Sequence, residues 1–399
     1  MNKVWGRRLR HAHARMAACA GGSALALLLA GCAAVVPAGP PAISLRPVDY
    51  ATLSGWETDP VSTMLPAFLH QCRRLALLPA DAALGGSGDA EAAGGKAADW
   101  TPFCLAIQWV HPGDDDGIRR VIAAWLQPYM VGDQGNEAAR FTGYFEPEIP
   151  GALSRDATHS VPVYRLPPDL QARRAPEAAI GRIVDGHLVP YWTRAQIDQG
   201  VLAGRSLEIL WLSDPVDLFF LQVQGSGRVR LPSGQIVRLG YAGRNGAAYV
   251  PLGRLLVEQG ELAPDAVSMQ SIRAWLAAHP DRAQALMEQN PNYVFFRSLN
   301  DLRPDQGPLG ALGVDLQPVR SIAVDRTFLP LAAPAWIDTA EADGTKLQRL
   351  MLAQDLGTDI KGPARADVFF GWGEDAARQA GLMHSDGHLV VLLPRPPRH

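Results

Sequence analysis

Two aspartates, Asp355 and Asp367, stand 12 positions apart in the 399-residue chain, each beside a short apolar run. Leu350–Ala353 reads as a strand that ends at Asp355, and Val368–Phe370 as a second strand that begins just after Asp367. Between them Gly357, Gly362 and Pro363 punctuate a turn, and Lys361 gives that turn a cation. An acid at a strand edge, near a lysine and near glycines that let a substrate approach the backbone, suits proton transfer. The same spacing also suits a plainer role, two Asx-type turn residues bonding nearby amides.

Other chemistry is thinly signalled. Gly225-Ser226-Gly227 offers a serine, but no strand–Ser–helix elbow surrounds it, so a tight turn able to lie against a ligand is the better reading. There is no HExxH, no paired-cysteine motif and no G-x-G-x-x-G after a strand, and the ten histidines are scattered. No metal and no cofactor is expected. Tyr144, Phe145, Trp192, Trp211, Gln222, Gln224, Tyr241 and Asn245 gather aromatic rings and amides in the middle of the chain. Rings that stack and amides that pair with hydroxyls are what an extended sugar polymer needs, although each residue taken singly also suits packing.

The elements that must carry these residues change texture along the chain. Val61–Leu78 has the period of an amphipathic helix, with further helices expected over Phe103–Val110 and Asp116–Met130. Ala83–Ala98 is low in complexity and reads as a mobile loop. From Phe141 short β segments follow: Phe141–Pro147, Val161–Leu166, His187–Trp192, Glu208–Leu212 and Leu218–Gln224. Arg228–Leu231 and Gln235–Leu239, joined by Pro232-Ser233-Gly234, read as a hairpin. Helices are expected over Arg254–Gln259, over Met269–Ala278 capped by Ser268, and from Asp281 to Gln289. Strands return at Tyr293–Arg297, Ser321–Val324, Ala335–Asp338 and His388–Leu393.

Composition bounds the class. Hydrophobic content of 47% and charged content of 19% are those of a globular protein, and 39 Gly with 32 Pro favour a β-rich, loop-heavy architecture. A net charge of −3 without a basic block argues against a nucleic-acid partner. At the N-terminus, Lys3, Arg7, Arg8, Arg10 and Arg15 precede an apolar run, Ala24–Ala30. Leu29-Ala30-Gly31-Cys32 resembles a bacterial lipobox, in which the chain is cut before the cysteine and the thiol is lipidated. Ala33-Ala34, with no aspartate, resembles signals sorted to the outer membrane, so an outer-membrane lipoprotein facing the periplasm is expected. Residues 33–45 would be a Pro-rich tether. Cys72 and Cys104 would form a disulfide in that oxidising compartment or, equally, Cys72 would be a buried thiol.

Several longer runs combine into one resemblance. They are Phe141–Pro147 (FTGYFEP), Val223–Gly227 (VQGSG), Tyr241–Gly246 (YAGRNG), Asn290–Phe296 (NPNYVFF), and three aspartates: Asp325 in AVDRTFLPL, Asp355 in AQDLG and Asp367 in RADVFFG. From about Leu53 onward the chain resembles the membrane-bound lytic murein transglycosylase A family. The resemblance implies a mainly β fold with some helices. A double-psi β-barrel would be built from residues 53–148 and 303–399, with its three-aspartate motif over 320–373. A smaller β domain, 149–302, would be inserted, with a groove between the two. Residues 1–31 would be the signal peptide and 32–52 the anchor and tether.

The resemblance also implies cleavage of the β-1,4 bond between N-acetylmuramic acid and N-acetylglucosamine in peptidoglycan. Asp367 would be the catalytic acid, with Asp355 beside it. Thr142, Tyr144, Gln224, Gly225, Ser226, Tyr241, Asn245 and Lys361 would contact sugar. A hydrolytic muramidase and a non-catalytic peptidoglycan-binding lipoprotein are the competing readings. A monomer is expected, with glycan strands, the outer membrane through its lipid and proteins of cell-wall synthesis or division as partners. Two positions depart from the family pattern: Thr358-Asp359, where Gly-Ala is usual, and Ala332, where Gly is usual. Asp359 would either raise the pKa of Asp367 or point to solvent.

Overall fold

The computed structural model describes residues 40–173, 179–299, 301–303, 305–357 and 359–395. Cys32 and the rest of the N-terminal signal lie outside the described residues, as does Thr358. The described chain opens with strand β1 (Ile43–Pro47), then helices α1 (Leu65–Ala76), α2 (Asp89–Gly94), α3 (Thr101–Ile107) and α4 (Asp115–Trp125), then β2 (Leu126–Asp133) and β3 (Ala139–Glu146). A middle stretch follows with β4 (Glu148–Ala152), β5 (Val161–Tyr164), β6 (Gln171–Arg173), β7 (Ala179–Val184), β8 (His187–Pro190), α5 (Arg194–Asp198), β9 (Glu208–Leu212) and α6 (Pro215–Gln224). It ends with β10 (Ser226–Arg230), β11 (Ile236–Arg244), α7 (Leu252–Glu258), α8 (Met269–Ala278), α9 (Pro280–Glu288) and β12 (Val294–Ser298). The C-terminal stretch contributes β13 (Ser321–Val324), β14 (Pro334–Ala340), β15 (Lys346–Asp355), β16 (Arg365–Trp372), α10 (Gly373–Leu382) and β17 (His384–Pro394).

The sheet built from both ends of the chain closes on itself. Its order is β1-β2-β17-β14-β15-β13-β16-β3, and β17 pairs with β3 as well. Six strands, β17, β14, β15, β13, β16 and β3, therefore form a ring, which leaves those strands no open edge. Within it β13–β15 and β16–β3 are parallel, and the other ring pairs are antiparallel. Phe141, Trp336, Leu350, Val368 and Leu392 fill one apolar core with Phe68, Trp100 and Phe103 from the helices. A second sheet, β12-β11-β10-β4-β9-β5, and a three-stranded sheet, β6-β7-β8, come from the chain between β3 and β13.

Several sequence expectations are corrected. Residues 43–47, expected in the tether, pair with β2 as strand β1. The helix expected to reach Met130 stops at Trp125, because Pro128 has no N–H and disfavours helix at the residue before it. Ala83–Ala98 is not a free loop: Leu84, Ala90 and Ala97 are buried, and Gly85 bridges to Pro330. Gly85 has φ +106°, and a Cβ there would sit 2.3 Å from the Arg326 carbonyl oxygen, so only glycine permits that approach.

Pro215–Gln224, read from Leu218 onward as a β segment, is helix α6. Asp214 accepts from the Val216 amide, Pro215 sits in the first turn, and Gly225 closes the helix in the left-handed conformation at φ +77°. Cys72 and Cys104 are disulfide-bonded, tying α1 to the middle of α3 across 32 residues. A closed loop of that length contributes about 3–4 kcal/mol in the chain-entropy account.

Candidate active site

Four adjacent strands, β15, β13, β16 and β3, bring the acids and their neighbours together. Ala323 in β13 is the register partner of Asp355 on one side and of Asp367 on the other. The two aspartates thus stand two strand spacings apart along the backbone, about 10 Å. Asp367 is the third residue of β16 and lies inside the strand rather than before it. Alternation along β16 buries Ala366, Val368 and Phe370 in the core and turns Arg365, Asp367 and Phe369 to the other face. On β3, Phe141 and Phe145 take the core side, so Thr142 and Tyr144 share the face that meets Asp367. Gly143 between them lies against α10, where a Cβ would come within 2.6 Å of the Ala380 Cα. At Asp355 the β13–β15 register shifts by a bulge, a common device for re-aiming a side chain beside a site.

The two carboxylates are in different states of use. Asp355 accepts from the Tyr144 hydroxyl (2.9 Å) on one oxygen and from the Ala311 amide (2.9 Å) on the other. Burial raises its pKa, while bonds from Leu356, Tyr144 and Ala311 pull it back. Asp367 accepts from the Thr142 hydroxyl at 2.5 Å through Oδ1, and no hydrogen bond to its Oδ2 occurs among the described residues. Burial raises Asp367 to about 6, with the Asp355 charge adding to the rise and the Thr142 bond and the Arg365 charge opposing it. An acid that keeps its proton toward neutral pH is suited to general acid catalysis. Desolvation, helped by the charges of both acids, holds the half-buried Tyr144, bonded to Asp355, far above its ordinary value.

The third aspartate has a scaffolding part. Asp325 accepts from the Gly362 amide (3.0 Å) and the Thr327 amide (3.0 Å), so it holds the turn between the two acidic strands. Lys361 on that turn is exposed, and its charge is felt at Asp325 and Asp359. Asp359 is itself raised by burial, and its charge acts on Arg365 and Tyr249.

The remaining candidates divide. Gln224, the last residue of α6, accepts through its side-chain oxygen from the Phe145 amide (3.2 Å), and so joins that helix to β3. Gly225 and Ser226 turn the chain from α6 into β10, and Ser226 pairs with Gly240, next to the exposed Tyr241. Asn245 does not belong with them. It is buried, its nitrogen donates to Trp192 O and Pro291 O, and its oxygen accepts from the Ala247 and Tyr293 amides. That amide is consumed by the fold, as is buried Gln222, which bonds Arg194 and Val294 O. Sequence reasoning missed Arg365 and the Ala311 amide. An arginine two residues before an acid on one strand was the legible signal for the first; nothing local marks the second.

A family model described as the MltA specific insert domain matches residues 140–297, and one described as the 3D domain matches residues 320–393. The chain is 31% identical over 299 residues to membrane-bound lytic murein transglycosylase A of Escherichia coli (strain K12), covering 72% of this chain and 74% of that protein. The crystal structure of a membrane-bound lytic murein transglycosylase from Agrobacterium tumefaciens is similar at a TM-score of 0.78 and 32% identity, covering 88% of this chain and 98% of that one. MltA from Neisseria gonorrhoeae, in its monoclinic form, has a TM-score of 0.74 at 30% identity, over 91% and 97% of the two chains. The protein belongs to the membrane-bound lytic murein transglycosylase A family.

Proposed function

We propose that this protein is a peptidoglycan lytic transglycosylase that cleaves the β-1,4 bond between N-acetylmuramic acid and N-acetylglucosamine with Asp367 as its single acid and base. One observation carries the reading: of two neighbouring aspartates, Asp355 is bonded on both oxygens, while Asp367 is raised to about 6. A two-carboxylate hydrolase needs its second carboxylate open, to attack the sugar or to activate water. Here the sugar supplies the nucleophile instead. Asp367 gives its proton to the leaving O4 as the bond from O4 to the anomeric carbon breaks. The muramic 6-hydroxyl attacks that carbon and passes its proton to the Asp367 carboxylate, which restores the acid. No water is consumed, and the new end is a 1,6-anhydro ring.

Tyr144 and Asp355 would then hold the floor of the site, and Thr142 would set Asp367. Gln224, Gly225, Ser226 and Tyr241 would line the sugar path, with Lys361 at its rim. Purified protein acting on isolated sacculi should release muramyl ends each lacking one water relative to a hydrolase product. Asp367→Asn should lose about 10³-fold or more in kcat while still binding glycan. Reducing-end muramic acid as the main product would defeat the mechanism.

The periplasmic face of the outer membrane is the proposed location. It rests on Leu29–Cys32 and on the relatives' description as membrane-bound. Among the described residues no helix is long and apolar enough to cross a membrane. Cells fed labelled palmitate should yield labelled protein, and Cys32→Ser should yield none. A wild-type chain without label would remove the anchor.

A further inference from the structure

Arg365, Thr142 and Asp367 form one chain of hydrogen bonds whose direction is dictated by their chemistry. A guanidinium has donors only, so the contact from Arg365 Nη2 to Thr142 Oγ1 (2.7 Å) makes that oxygen an acceptor. The single hydrogen of the hydroxyl is then left for Asp367 Oδ1, 2.5 Å away. Were the carboxyl proton on Oδ1, the hydroxyl would accept from both sides, and its own hydrogen would have no acceptor among the described residues. Arg365 is held in place by Nη1, which donates to Ala366 O (2.8 Å) and Arg140 O (3.4 Å). The register of the two parallel strands sets Asp367 opposite Thr142 and Arg365 opposite Arg140.

We propose that Arg365 is a positioning residue: by fixing the Thr142 hydroxyl as a donor to Oδ1, it confines the transferable proton of Asp367 to Oδ2, the oxygen that meets the glycosidic O4. The proposal rests on Asp367 being the acid. Thr142 is thereby a proton director as well as a neighbour of the sugar. Without Arg365 the hydroxyl can rotate, and the carboxyl proton can occupy the oxygen that faces away from the substrate.

The charged groups around Asp367 fix the sign of a second effect. Arg365 on its own strand favours the carboxylate, and Asp355 from β15 opposes it. Tyr144 from β3 faces both acids, and Arg140 from β3 lies near Arg365. Asp359 and Lys361 stand on the turn, and His384 of β17 is the register partner of Thr142. Removing the Arg365 charge therefore lets Asp367 keep its proton to higher pH.

The test is the pH profile of kcat on isolated sacculi, beside a carbon-13 NMR titration of the Asp367 carboxyl in the full protein. Arg365→Gln keeps a donor and loses the charge. Its alkaline limb and the NMR midpoint should move up by about one pH unit, with most of the plateau kcat retained. Arg365→Met loses both, so it should show the same shift and a further loss of about tenfold in plateau kcat, with KM little changed. Thr142→Ser, which keeps the hydroxyl, should lose less than Thr142→Val, which should lose about tenfold, and Thr142→Val with Arg365→Met should lose no more than either alone. An undiminished plateau kcat in Arg365→Met, or multiplicative losses in the double variant, would overturn the proposal. If Arg365→Met does not fold, Thr142→Val in the Arg365→Gln background decides: a loss of about tenfold is expected, and no loss would overturn the proposal. Cleavage by Asp367→Asn would instead sink the underlying reading of Asp367. An inactive Asp367→Asn beside a wild-type-like Arg365→Met would sink the positioning role alone.

Discussion

At the scale of single residues, the site separates two aspartates by what already holds them. Asp367, raised from 3.8 to about 6, binds its proton more tightly folded than unfolded. Such a group favours the folded state below its unfolded pKa. That contribution is lost as pH rises through the folded value, and above about 6 the buried carboxylate counts against folding. A rise of two units is at most about 3 kcal/mol. Asparagine copies the protonated acid, with an oxygen to accept from Thr142 and an NH2 where the acid carries its proton. Asp367→Asn should therefore melt several degrees above wild type at pH 8, and the gain should vanish near pH 4. Equal melting temperatures at both pH values would show that Asp367 is not held as an acid by burial.

At the scale of elements, legibility followed the signal each element used. Glu208–Leu212 and the hairpin around Pro232-Ser233-Gly234 announce themselves by β-branched runs and turn residues, and the structure has both. Helix α6 did not, because Leu218, Phe219, Phe220, Leu221 and Gln222 are all buried and leave no polar stripe to give a helical period. Its ends carried the information instead: Asp214-Pro215 before the run and Gly225 after it are start and stop signals that outweigh an apolar stretch. The Ala- and Gly-rich segment 83–98 fails for the opposite reason. Its few apolar side chains pack through close backbone approach, as at Gly85, which composition cannot reveal. The acids were legible as a pair and Tyr144 as one of the aromatic rings suited to sugar, while Thr142 was legible only through the family resemblance. The parallel pairing of β3 with β16, which joins residues 225 positions apart in the Thr142–Asp367 bond, has no local signature.

At the scale of the whole molecule, the chain leaves the closed sheet at Glu146-Pro147 and comes back near Arg303–Gln306, and both passages are tied to one buried charge. Glu146 is fully buried and accepts from Arg228 (2.8 Å) and from Arg238 (3.0 Å), one on each strand of the β10–β11 hairpin. The same arginines donate onward to Gln306 O, and Arg238 to Arg303 O. Arg228 also lies 4.0 Å over the Trp372 ring, and Trp372 is the register partner of Glu146 at the end of β16, five residues beyond Asp367. We propose that residues 149–302 form an inserted module and that this cluster fixes the module against the barrel that carries the acid. A buried triad of this kind adds little net stability against an apolar replacement, but removing one partner leaves the others uncompensated, at about 3–5 kcal/mol. Glu146→Gln keeps the shape and an acceptor while removing the charge that two guanidinium groups share. It should lower the melting temperature and speed amide hydrogen exchange in Glu148–Ala152, Ser226–Arg230 and Arg303–Gln306. It should also raise KM for glycan more than it lowers kcat, because the groups around Asp367 stay in place while the opposite wall loosens. Wild-type exchange in those three segments, with wild-type melting, would leave the cluster no part in holding the groove.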